Sequence, residues 1–183
     1  LGKINTPELT LSFETDNLVY GRTNNPYDPT CTPGGSSGGA AAIIAAGGSP
    51  LDLGTDTAGS IRVPAHCCGI AGLKPTSGRV SRTGHIIHHA MGALDPLTVV
   101  GPMARYVDDL SLSLPIIAGP DWVDPAITPT PLGAPADIDV RALTVACYAD
   151  NGIMSPTAEV DAAVRWAADA LADAGVRVVD DRP

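Results

Sequence analysis

The 183-residue chain carries 11 basic against 20 acidic side chains, a net charge of −9, with 44% hydrophobic residues and only 4% aromatic ones. The acidic balance and the scattered Lys and Arg argue against a nucleic-acid or anionic-membrane surface, and no apolar run is long enough to span a bilayer. With 20 glycines and 17 prolines, the composition points to a core of Ala, Val, Leu and Ile joined by many turns.

No secretory pattern opens the chain, and Cys31, Cys67, Cys68 and Cys147 show no CxxC spacing. A cytoplasmic protein is expected, with the adjacent Cys67 and Cys68 read as small buried hydrophobes. The chain begins LGKINTPEL without methionine and stops at VVDDRP, which reads as a segment of a longer protein.

Residues 1–32 contain Asn5-Thr6-Pro7, Asn24-Asn25-Pro26 and Asp28-Pro29 with little periodicity between them, and read as loop. Next comes the glycine cluster Gly34-Gly35-Ser36-Ser37-Gly38-Gly39, whose freedom at positive φ permits close approach of another group. Ala40–Ala46 follows as a small-residue helix ended by Gly47 and Gly48, so the loop sits at a helix N-terminus suited to an anion. Pro50–Thr55 reads as a short strand with Leu51 and Leu53 in alternation, and Asp56-Thr57-Ala58-Gly59-Ser60 as a tight turn. Ile61–Cys68 starts a second helix, with Pro64 tolerated in its first turn. A serine on a tight turn between strand and helix is placed for nucleophilic work: its hydroxyl projects while neighbouring N–H groups converge.

Beyond this stretch, Ile70–Leu73 reads as a strand, 75–84 as turns, Leu97–Val100 as a strand, and Pro102–Ala118 as a helix. That helix has an apolar face of Met103, Val107, Leu110, Leu114 and Ile117, and Pro115 is expected to kink or end it. The run His85, His88, His89 invites a metal, yet no carboxylate stands at helical spacing, so a loop lining is the preferred reading. Pro120–Val140 is a proline-rich linker or surface loop. Leu143–Tyr148 is expected as a buried strand and Ser155-Pro156 as the cap of a helix running to Ala174, with Val160, Val164, Ala167 and Leu171 on one face. Gly175 ends that helix, and Val176–Val179 completes a βαβ unit. The whole is a mixed α/β fold.

The stretch Pro33–Thr76, PGGSSGGAAAIIAAGGSPLDLGTDTAGSIRVPAHCCGIAGLKPT, resembles the signature region of the amidase signature family of serine amidohydrolases. The resemblance extends to LGKINTPEL, NNPYDP, GIAGLKPTSGRVS and VVGPMARYVDD. It implies a mixed β-sheet core surrounded by helices, organised as an amidase signature core at 1–122, a linker or loop at 123–140, and a βαβ-like part of the same domain at 141–183. It also implies hydrolysis of a small-molecule amide without metal or organic cofactor, with a homodimer as the assembly to consider. By the same resemblance Ser60 is the nucleophile and the N–H groups of Thr57, Ala58, Gly59 and Ser60 form the oxyanion hole. Ser36, preceded by a cis peptide bond at Gly35, relays protons to a lysine. Ser37 and Thr55 support these groups, and Asp56 pairs with Arg62 to hold the turn.

Lys3 and Lys74 match other family positions, so the general base is expected outside this chain and the segment itself is expected to be inactive. Ala58 stands where the family more often has glycine, which is tolerable at negative φ. Members that hydrolyse glutamine in tRNA-dependent amidotransferases carry a DQIGP-like run where this chain has Asp95-Pro96-Leu97-Thr98-Val99-Val100-Gly101-Pro102. That difference favours a free-standing amidase. Three other readings compete: a Gly35-x-Ser37-x-Gly39 elbow served by His66, His85, His88 or His89; a phosphate-binding loop, which lacks the P-loop lysine; and a non-catalytic amidase-like subunit.

Overall fold

The computed structural model describes residues 2–85 and 96–182. They form two compact units, 1–131 and 132–183.

The first unit is built on a three-stranded antiparallel sheet in the order β1-β3-β2. Its strands are β1 (Leu51–Asp56), β2 (Ala71–Gly72) and β3 (Val99–Ala104). β1 pairs along its whole length with β3, from Leu51 opposite Ala104 to Asp56 opposite Val99. Helix α1 (Gly38–Ala45) is apolar on all sides and buried except at Ile43, which is why it lacks an amphipathic pattern. It ends where Gly47, at φ 78°, lets the Gly47 and Gly48 amides reach back to the Ile44 and Ile43 carbonyls. Helix α2 (Arg62–Cys68) ends on Gly69 in the left-handed conformation. The core joins Ala40, Ala41, Ile44, Ala45, Ile61, Cys68 and Met103, with Ile4 and Ile70 against it. Large side chains such as Ile44, Ile61 and Met103 each stabilise the fold by about 1.5–3 kcal/mol relative to exposure. The Cys68 thiol, pushed up to about 11 by burial, is a packing group rather than a nucleophile.

The helix expected from Pro102 needs correction. Pro102 does not open a helix: β3 continues through it, opposite Leu53, and its carbonyl accepts from the Leu73 amide at 3.0 Å. Long-range pairing with β1 overrides the local helix signal. Met103 therefore belongs to the strand, and helix α3 (Val107–Ile117) buries Leu110 and Ser113 while Val107 is exposed. Pro115 sits inside α3, which continues for two more residues. The strand expected at Pro50–Thr55 is β1, in which Leu51 and Leu53 form the open face while Gly54 and Asp56 lie on the buried one.

Residues 120–131 are irregular and held by polar contacts. Asp124 pairs with Arg82 at 3.2 Å, both side chains nearly fully buried, and the Thr128 amide donates to the Gly78 carbonyl at 3.0 Å.

The second unit is a parallel pair, β4 (Thr144–Cys147) and β5 (Arg177–Asp180), joined through helix α4 (Ala158–Asp173). β4 is half-exposed rather than buried, because α4 contributes no fully buried residue over it. Thr157, not Ser155, caps α4 by accepting from the Val160 amide, since the Ser155 hydroxyl donates to Asp150. Gly175, at φ 91°, follows the helix end as expected.

Candidate active site

The two glycine and serine clusters meet in the first unit. The peptide bond between Gly35 and Ser36 is cis. Ser36 is 1% and Ser60 9% exposed. The Ser37 amide donates to the Ser60 carbonyl at 3.1 Å, tying the loop to the turn through the backbone. The Ser37 hydroxyl accepts from the Thr55 amide at 3.2 Å and donates to its carbonyl at 3.4 Å. Gly54 is required beneath this contact: a Cβ there would lie 2.8 Å from Ser37 Oγ and 2.7 Å from Met103 Sδ.

Asp56 organises the turn. Its Oδ1 accepts from the Gly59 amide at 2.8 Å and Arg62 Nη2 at 2.9 Å; its Oδ2 accepts from the Ile61 and Arg62 amides and from Arg62 Nε at 3.0 Å. Burial pushes the Asp56 carboxyl up, but the donors from Arg62, Ile61 and Gly59 outweigh it and hold the group below the ordinary carboxylate range. Arg62 is correspondingly held above its ordinary value by Asp56, although its side chain is 55% exposed. Gly59 takes φ 134°, a conformation that favours glycine, whereas Ala58 is not at positive φ. The alanine thus fits without strain.

Thr57, Ala58 and Ser60 line a cavity of about 250 Å³ together with Thr10, Leu11, Ser12, Phe13 and Thr98. Thr57 and Thr98 hydroxyls are 2.6 Å apart. The residues 10–13 and Thr98 carry no motif in the sequence; only the fold brings them to Ser60. Thr15 is another contributor missed from sequence, fully buried against the glycine loop.

All ten sequence-predicted site residues, Gly35, Ser36, Ser37, Thr55, Asp56, Thr57, Ala58, Gly59, Ser60 and Arg62, fall in this one neighbourhood of loop, strand end and turn. The Ser37 hydroxyl is spent on Thr55, and among the described residues no strand leads into it, so the elbow reading has no support in its geometry. His66 is exposed on α2, and His88 and His89 lie outside the described residues. Among the described residues no three His, Cys, Asp or Glu side chains group to hold a metal, and no helix is long and apolar enough to cross a membrane. Neither Lys3 nor Lys74 hydrogen-bonds to Ser36 or Ser60 among the described residues.

The fold is mixed α/β with the two serine-bearing loops meeting at a sheet end, and the chain belongs to the amidase family, whose pattern it matches over residues 1–183. It is 43% identical over 181 residues to a glutamyl-tRNA(Gln) amidotransferase subunit of Roseiflexus sp. (strain RS-1), covering 97% of this chain and 36% of that protein. Among solved structures it resembles a fatty acid amide hydrolase (TM-score 0.87, 31% identity, 98% of this chain and 32% of the other). It is equally close to 6-aminohexanoate cyclic dimer hydrolase (TM-score 0.87, 36% identity, 100% of this chain and 38% of the other). The chain thus spans between 32% and 38% of the length of these relatives.

Proposed function

We propose that the protein is an amidase in which Ser60 attacks a carboxylic amide and Ser36 carries the proton of its hydroxyl to a lysine outside these residues. The observation that carries the reading is the backbone bond from Ser37 to Ser60, which fixes the loop bearing one serine against the turn bearing the other, beside the cavity that Ser60 lines. Attack forms the Oγ–C bond, and the carbonyl oxygen takes up negative charge facing the amides of Thr57, Ala58 and Ser60. The Gly59 amide, committed to Asp56, acts instead by shaping the turn. Collapse of the intermediate breaks the C–N bond as the relay returns the proton to the leaving amine. Water then hydrolyses the acyl-serine ester, releasing a carboxylate and restoring the Ser60 hydroxyl. Ser37 and Thr55 hold the two strands of backbone in register, and Asp56 with Arg62 holds the turn.

The apolar walls Leu11 and Phe13 fit the hydrocarbon part of a small aliphatic or aryl amide. A second reading, glutamine hydrolysis within a tRNA-dependent amidotransferase, draws on the 43% identity to the Roseiflexus amidotransferase subunit. The proposed setting is cytoplasmic, and a homodimer is the assembly to test.

The test is to treat the full-length protein with a serine-directed fluorophosphonate and map the adduct by mass spectrometry. Labelling at Ser60, lost in Ser60→Ala, is expected, with turnover of simple amides abolished in the same variant. Labelling at another serine, or none in a folded protein, overturns the proposal. Ammonia release from glutamine exceeding that from simple amides would select the second reading.

A further inference from the structure

Thr15 lies in a stretch without a recognisable motif, yet it is fully buried. Its Oγ1 donates to the Gly34 carbonyl at 2.9 Å and accepts from the Gly38 amide at 3.1 Å. Those two backbone groups flank Ser36, one on each side. The fit leaves no slack: a Cβ on Gly38 would collide with Thr15 Oγ1, and one on Gly35 would lie 2.7 Å from the Phe13 carbonyl carbon and 2.8 Å from the Ser12 oxygen.

Resting on the reading of Ser36 as the proton relay, we propose that Thr15 is a positioning residue whose single hydroxyl fixes the loop that carries Ser36. A hydroxyl is the group for this task because it donates and accepts at once. Here it fills the lone pair of a carbonyl before Ser36 and satisfies an amide after it. Without it, two buried backbone groups lose their partner and the loop relaxes toward other contacts. Thr15 does not line the cavity beside Ser60. Its loss should therefore act on the chemical step and leave substrate binding alone.

The experiment uses the full-length protein and compares wild type with Thr15→Val, Thr15→Ser, Thr15→Ala and Ser36→Ala. Three quantities are read: the rate of Ser60 acylation by a fluorophosphonate, kcat and KM for p-nitroacetanilide, and the melting temperature. Because misplacing a reacting group by about 1 Å costs on the order of 100-fold, valine is expected to lower the acylation rate and kcat by roughly 10–100-fold with KM unchanged. Serine, which keeps the hydroxyl, is expected to restore both to within about threefold. Unchanged kcat in Thr15→Val, in a protein that Ser36→Ala inactivates, overturns the role of Thr15 and leaves the relay standing. Full activity in Ser36→Ala overturns both. A loss that follows the unfolded fraction, that appears as raised KM, or that serine does not rescue also overturns it. Should the valine variant not fold, alanine decides by the same criteria.

Discussion

The two units bury their chains in opposite ways. In the first, a helix of alanines and isoleucines disappears into the core, and polar groups such as Asp56 and Thr15 are buried with it, each hydrogen-bonded. In the second, a longer helix and a parallel strand pair leave Val176, at 5% exposure, as the one buried hydrophobic side chain among the described residues. Clear periodicity and strong burial are therefore different properties. The regular helix pattern belongs to the open unit, and the irregular glycine-rich stretch belongs to the packed one.

Substitutions at glycine sharpen this contrast most. In the first unit a Cβ on Gly101 would run into the Leu73 carbonyl oxygen and lie 2.7 Å from Pro75 Cδ, whereas a Cβ on Gly133 in the second meets nothing within 4 Å. Gly101→Ala is expected to destabilise by about 3 kcal/mol, the upper range for overpacking by one methyl. Gly133→Ala is expected to stay within about 0.5 kcal/mol of wild type. Chemical denaturation followed by circular dichroism separates the two, and equal midpoints would break the comparison.

A smaller effect is expected at Asp56. Its folded carboxyl lies below the ordinary range, so the unfolded chain binds the extra proton. The stability it contributes is therefore full above the unfolded value, about pH 4, and lost as pH falls through the folded value. Asp56→Asn is expected to cost about 2 kcal/mol at neutral pH, as hydrogen bonds to a charged acceptor weaken. It should also flatten the loss of stability below about pH 4, which parallel melts from about pH 3 to 7 would show. The smallest effect belongs to the open unit: Thr157→Ala removes a helix cap, worth about 0.5–1 kcal/mol. It should speed amide exchange in the first turn of α4 and leave the first unit's exchange unchanged.

How much of this was legible in the sequence follows from how far each signal reaches. Ser36 and Ser60 announce themselves through adjacent glycines, and Asp56 with Arg62 through their closeness in the chain. The ends of α1 and α4 follow from Gly47 and Gly175. Thr98 gives no such sign, since its partner Thr57 is 41 residues away. Thr15 likewise reaches Gly34 across 19 residues. Leu51 and Leu53 reveal a strand but not which face is buried, which is decided by Gly54 admitting Ser37 and Met103 on the inner side. Pro102 misleads: a proline after a glycine reads as a helix start, and only the pairing with Leu53 reveals the strand.

The stretch from Ser12 to Thr15 presses on the glycine loop through main-chain atoms and one hydroxyl, while Leu11, Ser12 and Phe13 also line the cavity. Support of the loop and lining of the cavity thus fall to one short segment. Exchanging Leu11 or Phe13 for other residues alters the shape of the cavity and leaves the main-chain buttress in place.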